Sequence, residues 1–113
     1  MLSAYLFRFG FENPNEYHNN REHGWDDESS QALWVLAENE HDAELWGRNV
    51  AEEFVCWLFS QDGTEPYSWQ NSGYFGAIEN RIHALKASVG LTSIPAVICG
   101  EMPEFGKMMH PVT

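Results

Sequence analysis

NEHDAELWGRNVAEEFVCWLFSQDG, residues 39–63, is the stretch whose reading decides the fold. Ala43, Trp46, Gly47, Val50, Ala51, Phe54, Trp57 and Leu58 recur at steps of three and four, which lines one face of a helix. Asn39 supplies a cap, and Asp42 and Glu44 fall in the first turn, where the helix dipole favours negative charge. The spacing predicts a helix that ends near Ser60, with Gly63 placed to take the left-handed conformation that closes it. Leu45, Val55, Cys56 and Phe59 lie off the main stripe, so the C-terminal half is apolar almost all round. Either other elements cover both of its sides, or Leu45, Val55 and Phe59 pair with a second copy of the chain across a twofold axis.

Outward from this helix the chain reads as strands and loops. Gln31 to Glu38 (QALWVLAE) is nearly continuous in large apolar residues, as in a strand covered on both faces. Ser3 to Phe11 (SAYLFRFGF) alternates, with Tyr5, Phe7, Phe9 and Phe11 on one side and Ala4, Leu6, Arg8 and Gly10 on the other. Residues 12–30 between these strands read as a long polar loop that holds Pro14, several asparagines, His18, His23 and Gly24. On the other side of the helix, residues 64–74 are turn-rich, with room for a short strand at Tyr67 to Gln70. Ile78, Ile82, Leu85 and Val89 then predict a second helix from Phe75 or Gly76 to Ser88, stopped by Gly90. Ile94 to Cys99 is the last predicted strand, and residues 100–113 are an irregular tail. This order predicts one α+β domain over residues 1–113, with helices on one face of a mostly antiparallel sheet, in a ferredoxin-like or split βαβ arrangement.

Charge narrows the range of functions. The chain carries 17 acidic against six basic residues in 113, a formal net charge of −11, and 14% of it is aromatic. Such a surface repels phosphate backbones and anionic membranes, so a direct nucleic-acid or membrane role is not expected. No apolar run reaches the roughly 20 residues that span a bilayer. Met1 to Phe11 carries Arg8 within its apolar run and lacks a basic start with a small-residue cleavage site, so no signal peptide is read. Two cysteines, Cys56 and Cys99, lie far apart in apolar settings, which predicts free thiols in a reducing compartment, the cytoplasm.

Few residues point to catalysis. His18 and His23 with Asp26, and with Asp27 and Glu28 beside it, make the only candidate metal-ligand set, but the spacing matches no familiar zinc motif. Cys99 at a strand end has no neighbouring base or cation to stabilise a thiolate, and Cys56 reads as core. His83 and His110 have no evident partner. Arg8 is the one charge inside the first strand and calls for an internal carboxylate or a bound anion. Thr92-Ser93-Ile94-Pro95-Ala96-Val97-Ile98 resembles the stretch of thioredoxin-like proteins in which a cis-proline opens a central strand. The resemblance covers about seven residues and lacks the Cys-x-x-Cys pair, so it implies no redox activity.

The expectation that follows is a non-catalytic, acidic protein-binding module, of inhibitor or immunity type, that neutralises a basic or neutral protein partner. In composition it looks broadly like bacterial immunity proteins and phage-encoded inhibitors. No cofactor is expected. Trp25 with Asp26, Asp27 and Glu28, and Trp69 and Tyr74 in the second turn-rich segment, are the expected contact residues, since aromatic anchors beside charge carry most binding energy. A nucleic-acid mimic is the sharper form of the same idea. The alternatives are a small metal-dependent enzyme built on His18 and His23, and a structural homodimer through Leu45, Val55 and Phe59.

Overall fold

The computed structural model describes residues 2–79 and 94–108. Strand β1 (Ser3–Phe11) and strand β2 (Ser29–Ala37) pair antiparallel along their full length, from Ser3 opposite Ala37 to Phe11 opposite Ser29. Helix α1 (Pro14–His23) connects them. Helix α2 (Glu40–Asp62) follows, then a 3-10 turn at Trp69–Asn71 and strand β3 (Gly76–Ile78), antiparallel to β1. Strand β4 (Ala96–Ile98) runs parallel to β2, and a single helical turn, α3 (Phe105–Met108), comes last. The sheet order is β3-β1-β2-β4.

The α+β class stands, with α2 laid across one face of a mixed sheet. Within that class the parallel strands β2 and β4 are direct neighbours, whereas a split βαβ unit lodges another strand between its parallel pair. The central pair β1 and β2 and the β1–β3 pair are antiparallel, so the sheet is mostly antiparallel, with its one parallel contact at the β2–β4 edge.

Period-two alternation decides the core. Phe7, Phe9 and Phe11 of β1 and Leu33, Val35 and Ala37 of β2 share one face and are buried against Val50, Ala51, Phe54 and Leu58 of α2. Phe54 meets Phe9 and Phe11 edge to face, with ring centroids 5.9 and 5.2 Å apart. Gly47 lets α2 approach: a Cβ there would lie 2.4 Å from Cγ of Phe7. On the other face of the sheet Leu6 and Ala32 are buried beside Trp34 and Ile94. In the C-terminal half of α2, Phe54, Val55, Leu58 and Phe59 are buried and Cys56 and Trp57 are half-buried. Val55 and Phe59 are fully buried, which removes them from any dimer face, and only Leu45 of the proposed trio is exposed.

Local sequence explains the ends of both helices. Asn39 Oδ1 accepts from Asp42 N at 2.8 Å, and Gly63 closes α2 with φ 70°. The loop expected over residues 12–30 is instead interrupted by α1. There Asn13 Oδ1 accepts from Glu16 N while Glu16 Oε1 accepts from Asn13 N, a reciprocal capping box with Pro14 in the first turn. Gly24, at φ 70°, terminates the helix.

Other expectations change in the second half. No strand forms at Tyr67 to Gln70; the 3-10 turn lies there. The predicted second helix cannot begin at Phe75 or Gly76, because Gly76–Ile78 is committed to the sheet beside Phe7–Phe9. The remainder of that helix, and His83, lie outside the described residues, as do residues 109–113 with His110. Residues 100–108 of the tail are irregular except for α3, whose Phe105 packs on Phe54 and Trp57. No peptide bond among the described residues is cis, so Pro95 does not reproduce the cis-proline of the thioredoxin-like stretch. Arg8 Nε donates to Glu79 Oε1 at 2.9 Å, which answers its need for a carboxylate within the chain.

Candidate functional site

The junction of α1 with β2 holds a groove of about 250 Å³. Its walls come from three places: Glu12 at the end of β1, Tyr17, Asn20 and Arg21 on α1, and residues 25–28 entering β2, with Tyr74 closing one side. Capping fixes this geometry. Once Asn13 and Gly24 set the length of α1, Asn20 sits within reach of both flanking segments.

Asn20 holds the segments together. Its Nδ2 donates to Glu12 Oε2 at 2.6 Å and to the carbonyl of Asp27 at 2.7 Å, while its Oδ1 accepts from Asp27 N at 3.0 Å. Glu12 is the second hub. The Tyr74 hydroxyl donates to its carboxylate, and the Tyr67 hydroxyl accepts from its backbone N–H at 2.8 Å and donates to its carbonyl at 3.0 Å. Ser29 Oγ donates to Glu16 at 2.9 Å and so fastens the start of β2 to the first turn of α1.

The groove is electrostatically negative. Burial, then the hydrogen bond and charge of Glu12, with Tyr67 and Glu28 adding to it, hold the Tyr74 phenol well above its ordinary value of 10.0. The Tyr67 phenol is raised as well, chiefly by burial, with Glu12, Glu16 and Glu28 contributing negative charge and its bond to the Glu12 backbone acting in the opposite sense. Phenolate formation is opposed at both rings because its charge would face carboxylates at low solvation.

Trp25, Asp26, Asp27, Glu28 and Tyr74 all line this groove. Trp25 is 52% exposed, with one ring face on the His23 imidazole at 4.3 Å between centroids. Trp69 is elsewhere. It is 1% exposed, its Nε1 donates to the carbonyl of Gly10 at 2.7 Å, and it belongs to the core beside Phe9. A tryptophan in a turn-rich segment suggests an exposed anchor, but the 3-10 turn folds it back onto the sheet.

The histidines do not converge. His18 Nε2 lies 3.4 Å from Asp62 Oδ2 and 3.3 Å from Thr64 Oγ1, at the C-terminal end of α2, whereas His23 stacks on Trp25 at the far end of α1. Among the described residues no group of three or more His, Cys, Asp or Glu side chains is placed to hold a metal. The proposed set of His18, His23 and Asp26 is therefore not a ligand set, because α1 separates the imidazoles that a loop would have allowed to meet. Asp62 is held below its ordinary value of 3.8 by its hydrogen bonds from Thr64 and His18. Cys56 and Cys99 are both free, and burial followed by the charges of Glu52 and Glu53 raises the Cys56 thiol.

Sequence reasoning missed Glu12, Tyr17, Asn20 and Arg21. Only the capping signature, Asn13-Pro14 with Glu16 and then Gly24, could have placed Tyr17, Asn20 and Arg21 on one helix that starts just after Glu12. The chain matches no protein-family profile, no curated protein and no solved structure. Fold and site together define a class: a small α+β domain with an acidic, aromatic-walled groove where its first helix meets its second strand. No helix among the described residues is long and apolar enough to cross a membrane.

Proposed function

We propose that this protein is a non-catalytic binding module that engages a basic protein partner through the groove between α1 and β2, as an inhibitor or immunity-type protein does. The observation that carries this reading is Trp25, a large ring 52% exposed at the rim of a groove that also presents Asp26, Asp27 and Glu28. An exposed aromatic ring beside charged residues is the arrangement from which binding hot spots are built, and the net charge of −11 steers a basic partner toward it. The same charge disfavours nucleic acid and anionic membrane as partners. The free thiols of Cys56 and Cys99 fit action in the cytoplasm.

The test is affinity capture from the host at low and high salt, with the wild-type chain, Trp25→Ala and Asp26→Asn/Asp27→Asn run side by side. One basic protein held by the wild type, released by salt and absent from both variants is the expected result. Equal recovery by all three would detach the function from this groove.

A further inference from the structure

Each outer edge of the four-stranded sheet gives an outward backbone group to a charged side chain of the same chain. At β4, Trp34 N donates to the carbonyl of Pro95 at 2.8 Å and Cys99 N to the carbonyl of Leu36 at 2.9 Å, so residues 95, 97 and 99 turn their backbone groups toward β2. Ala96 and Ile98 turn theirs outward. Glu101 takes both groups of Ile98: Ile98 N donates to Glu101 Oε1 at 3.1 Å, and Glu101 N donates to the Ile98 carbonyl at 2.8 Å. Gly100, at φ 104°, makes the turn that brings Glu101 back, and Trp46 Nε1 of α2 fixes it by donating to the Glu101 carbonyl at 2.8 Å. At β3, Gly10 N donates to the carbonyl of Phe75 and Glu79 N to that of Leu6, which turns Gly76 outward. The Gly76 carbonyl accepts from Arg48 Nη2 at 2.7 Å.

An open edge strand is a template on which another chain can add a strand, and folded proteins blunt it with charge, proline or cover. β4 has little such protection of its own. Ile94 to Cys99 carries no charged residue, Ala96 and Ile98 are exposed, and Ile98 is 45% so. Without Glu101, two successive outward residues would stand ready for pairing, and the same uncharged strand of a second copy is the complement that fits them about a twofold axis. With Ile98 taken, at most Ala96 is left, too little to begin a ladder. We infer that Glu101 is an edge guard that bars a second copy of this chain from extending the sheet at β4, the counterpart of Arg48 on the Gly76 carbonyl at β3. The net charge of −11 repels the same second copy at a distance, but salt screens that repulsion, whereas the guard acts at contact.

The experiment compares the full wild-type chain, Glu101→Ala and Glu101→Gln in about 1 M salt, where the screening length is roughly 3 Å. Light scattering follows mass from micromolar to millimolar protein, amide hydrogen exchange follows Ile98, and circular dichroism establishes that each chain is folded. Glutamine keeps an oxygen that accepts from Ile98 N and so controls for the lost charge. Wild type and Glu101→Gln are expected to stay monomeric. Glu101→Ala is expected to associate as concentration rises, with Ile98 exchange about five- to tenfold faster than wild type when dilute, the equivalent of one net hydrogen bond lost, and slowed again in the associated form. A Glu101→Ala chain that stays monomeric would overturn the guard and reduce the contact to a closed turn. Unchanged Ile98 exchange in dilute Glu101→Ala would overturn it as well, since the carboxylate would then hold nothing in solution. Equal association of Glu101→Ala and Glu101→Gln would overturn it in favour of lost charge, and association that leaves Ile98 exchange fast would overturn it by placing the contact on another surface.

Discussion

Eight residues of α2 are buried and none of α1 is, although the two helices touch, Tyr17 meeting Phe59 edge to face at 5.4 Å. One is held by apolar burial, where stabilisation scales with area removed from water. The other is held by directed bonds: a capping box, the Glu16 link to Ser29, and Asn20 bridging Glu12 and Asp27. The difference teaches where each kind of residue can be spent on function. A helix anchored through polar bonds at its ends and one side can leave Arg21 exposed, while one anchored by burial commits Phe54, Val55, Leu58 and Phe59 to the core.

The sharpest way to break this contrast is in the core. Phe54→Ala removes a ring that contacts Phe9, Phe11, Trp57 and Phe105, and is expected to cost about 3–5 kcal/mol in denaturant melts. A loss below about 1 kcal/mol, as for a surface site, would mean that α2 is not seated as described. Gly47→Ala comes next. Alanine gains roughly 1 kcal/mol of helix propensity over glycine, but its Cβ would stand 2.4 Å from the Phe7 ring, so a net destabilisation of about 1–3 kcal/mol is expected. A stabilised Gly47→Ala would show that the helix can retreat from the sheet.

On the polar side, Asn20→Ala is expected to cost about 1–2 kcal/mol and to raise amide exchange selectively in α1 and residues 25–28. Uniform exchange through α2 as well would erase the distinction between the two anchoring modes. The tyrosines sharpen it by pH. Their folded phenols titrate above the ordinary value of 10.0, so their contribution to stability is complete below that pH and is lost as pH rises above it. Tyr67→Phe/Tyr74→Phe is expected to flatten the alkaline fall in the denaturation midpoint, and an unchanged slope would place its origin elsewhere. Smallest is Trp25→Ala, with a stability change within about 0.5 kcal/mol, because the ring is half exposed and stacks on the exposed His23. A larger loss would assign Trp25 to structure.

The same contrast explains what was legible in the sequence. β1 was visible residue for residue because an aromatic residue at every second position, Tyr5, Phe7, Phe9 and Phe11, is a burial signal, and α2 was visible because its stripe is apolar at helical spacing. Burial writes itself into the sequence as periodicity. α1 has no fully buried residue and only Tyr17 packs against the core, so it carries no apolar period; its only marks are Asn13, Pro14, Glu16 and Gly24, which also compose turns. The site inherited that difficulty. Trp25 and its acids could be singled out as residue types, but Glu12, Tyr17, Asn20 and Arg21 become neighbours only after α1 exists. Trp69 and Tyr74 looked alike in a turn-rich segment, and the 3-10 turn sends one into the core and the other to the groove wall. Gly76–Ile78 was assigned to a helix because Ile78 continues the spacing of Ile82, Leu85 and Val89; pairing with β1 outweighs that local period at its first residues.

Three aromatic rings in this small fold rest directly on backbone: Phe7 over Gly47, Phe75 over Gly10, and Trp69 over Gly76. Phe7 and Trp69 are buried, so each of these rings shares one fixed volume with its glycine and neither can change size alone, whereas the exposed Phe75 can swing aside. In a library that randomises both members of a pair, survivors at Gly47 and Phe7 should trade bulk, a larger residue at one position accompanied by a smaller one at the other. The notches beneath the two buried rings therefore act as linked characters in the protein's evolution, and co-variation at Gly47 with Phe7 and at Gly76 with Trp69 is where distant relatives of the fold would be recognised first.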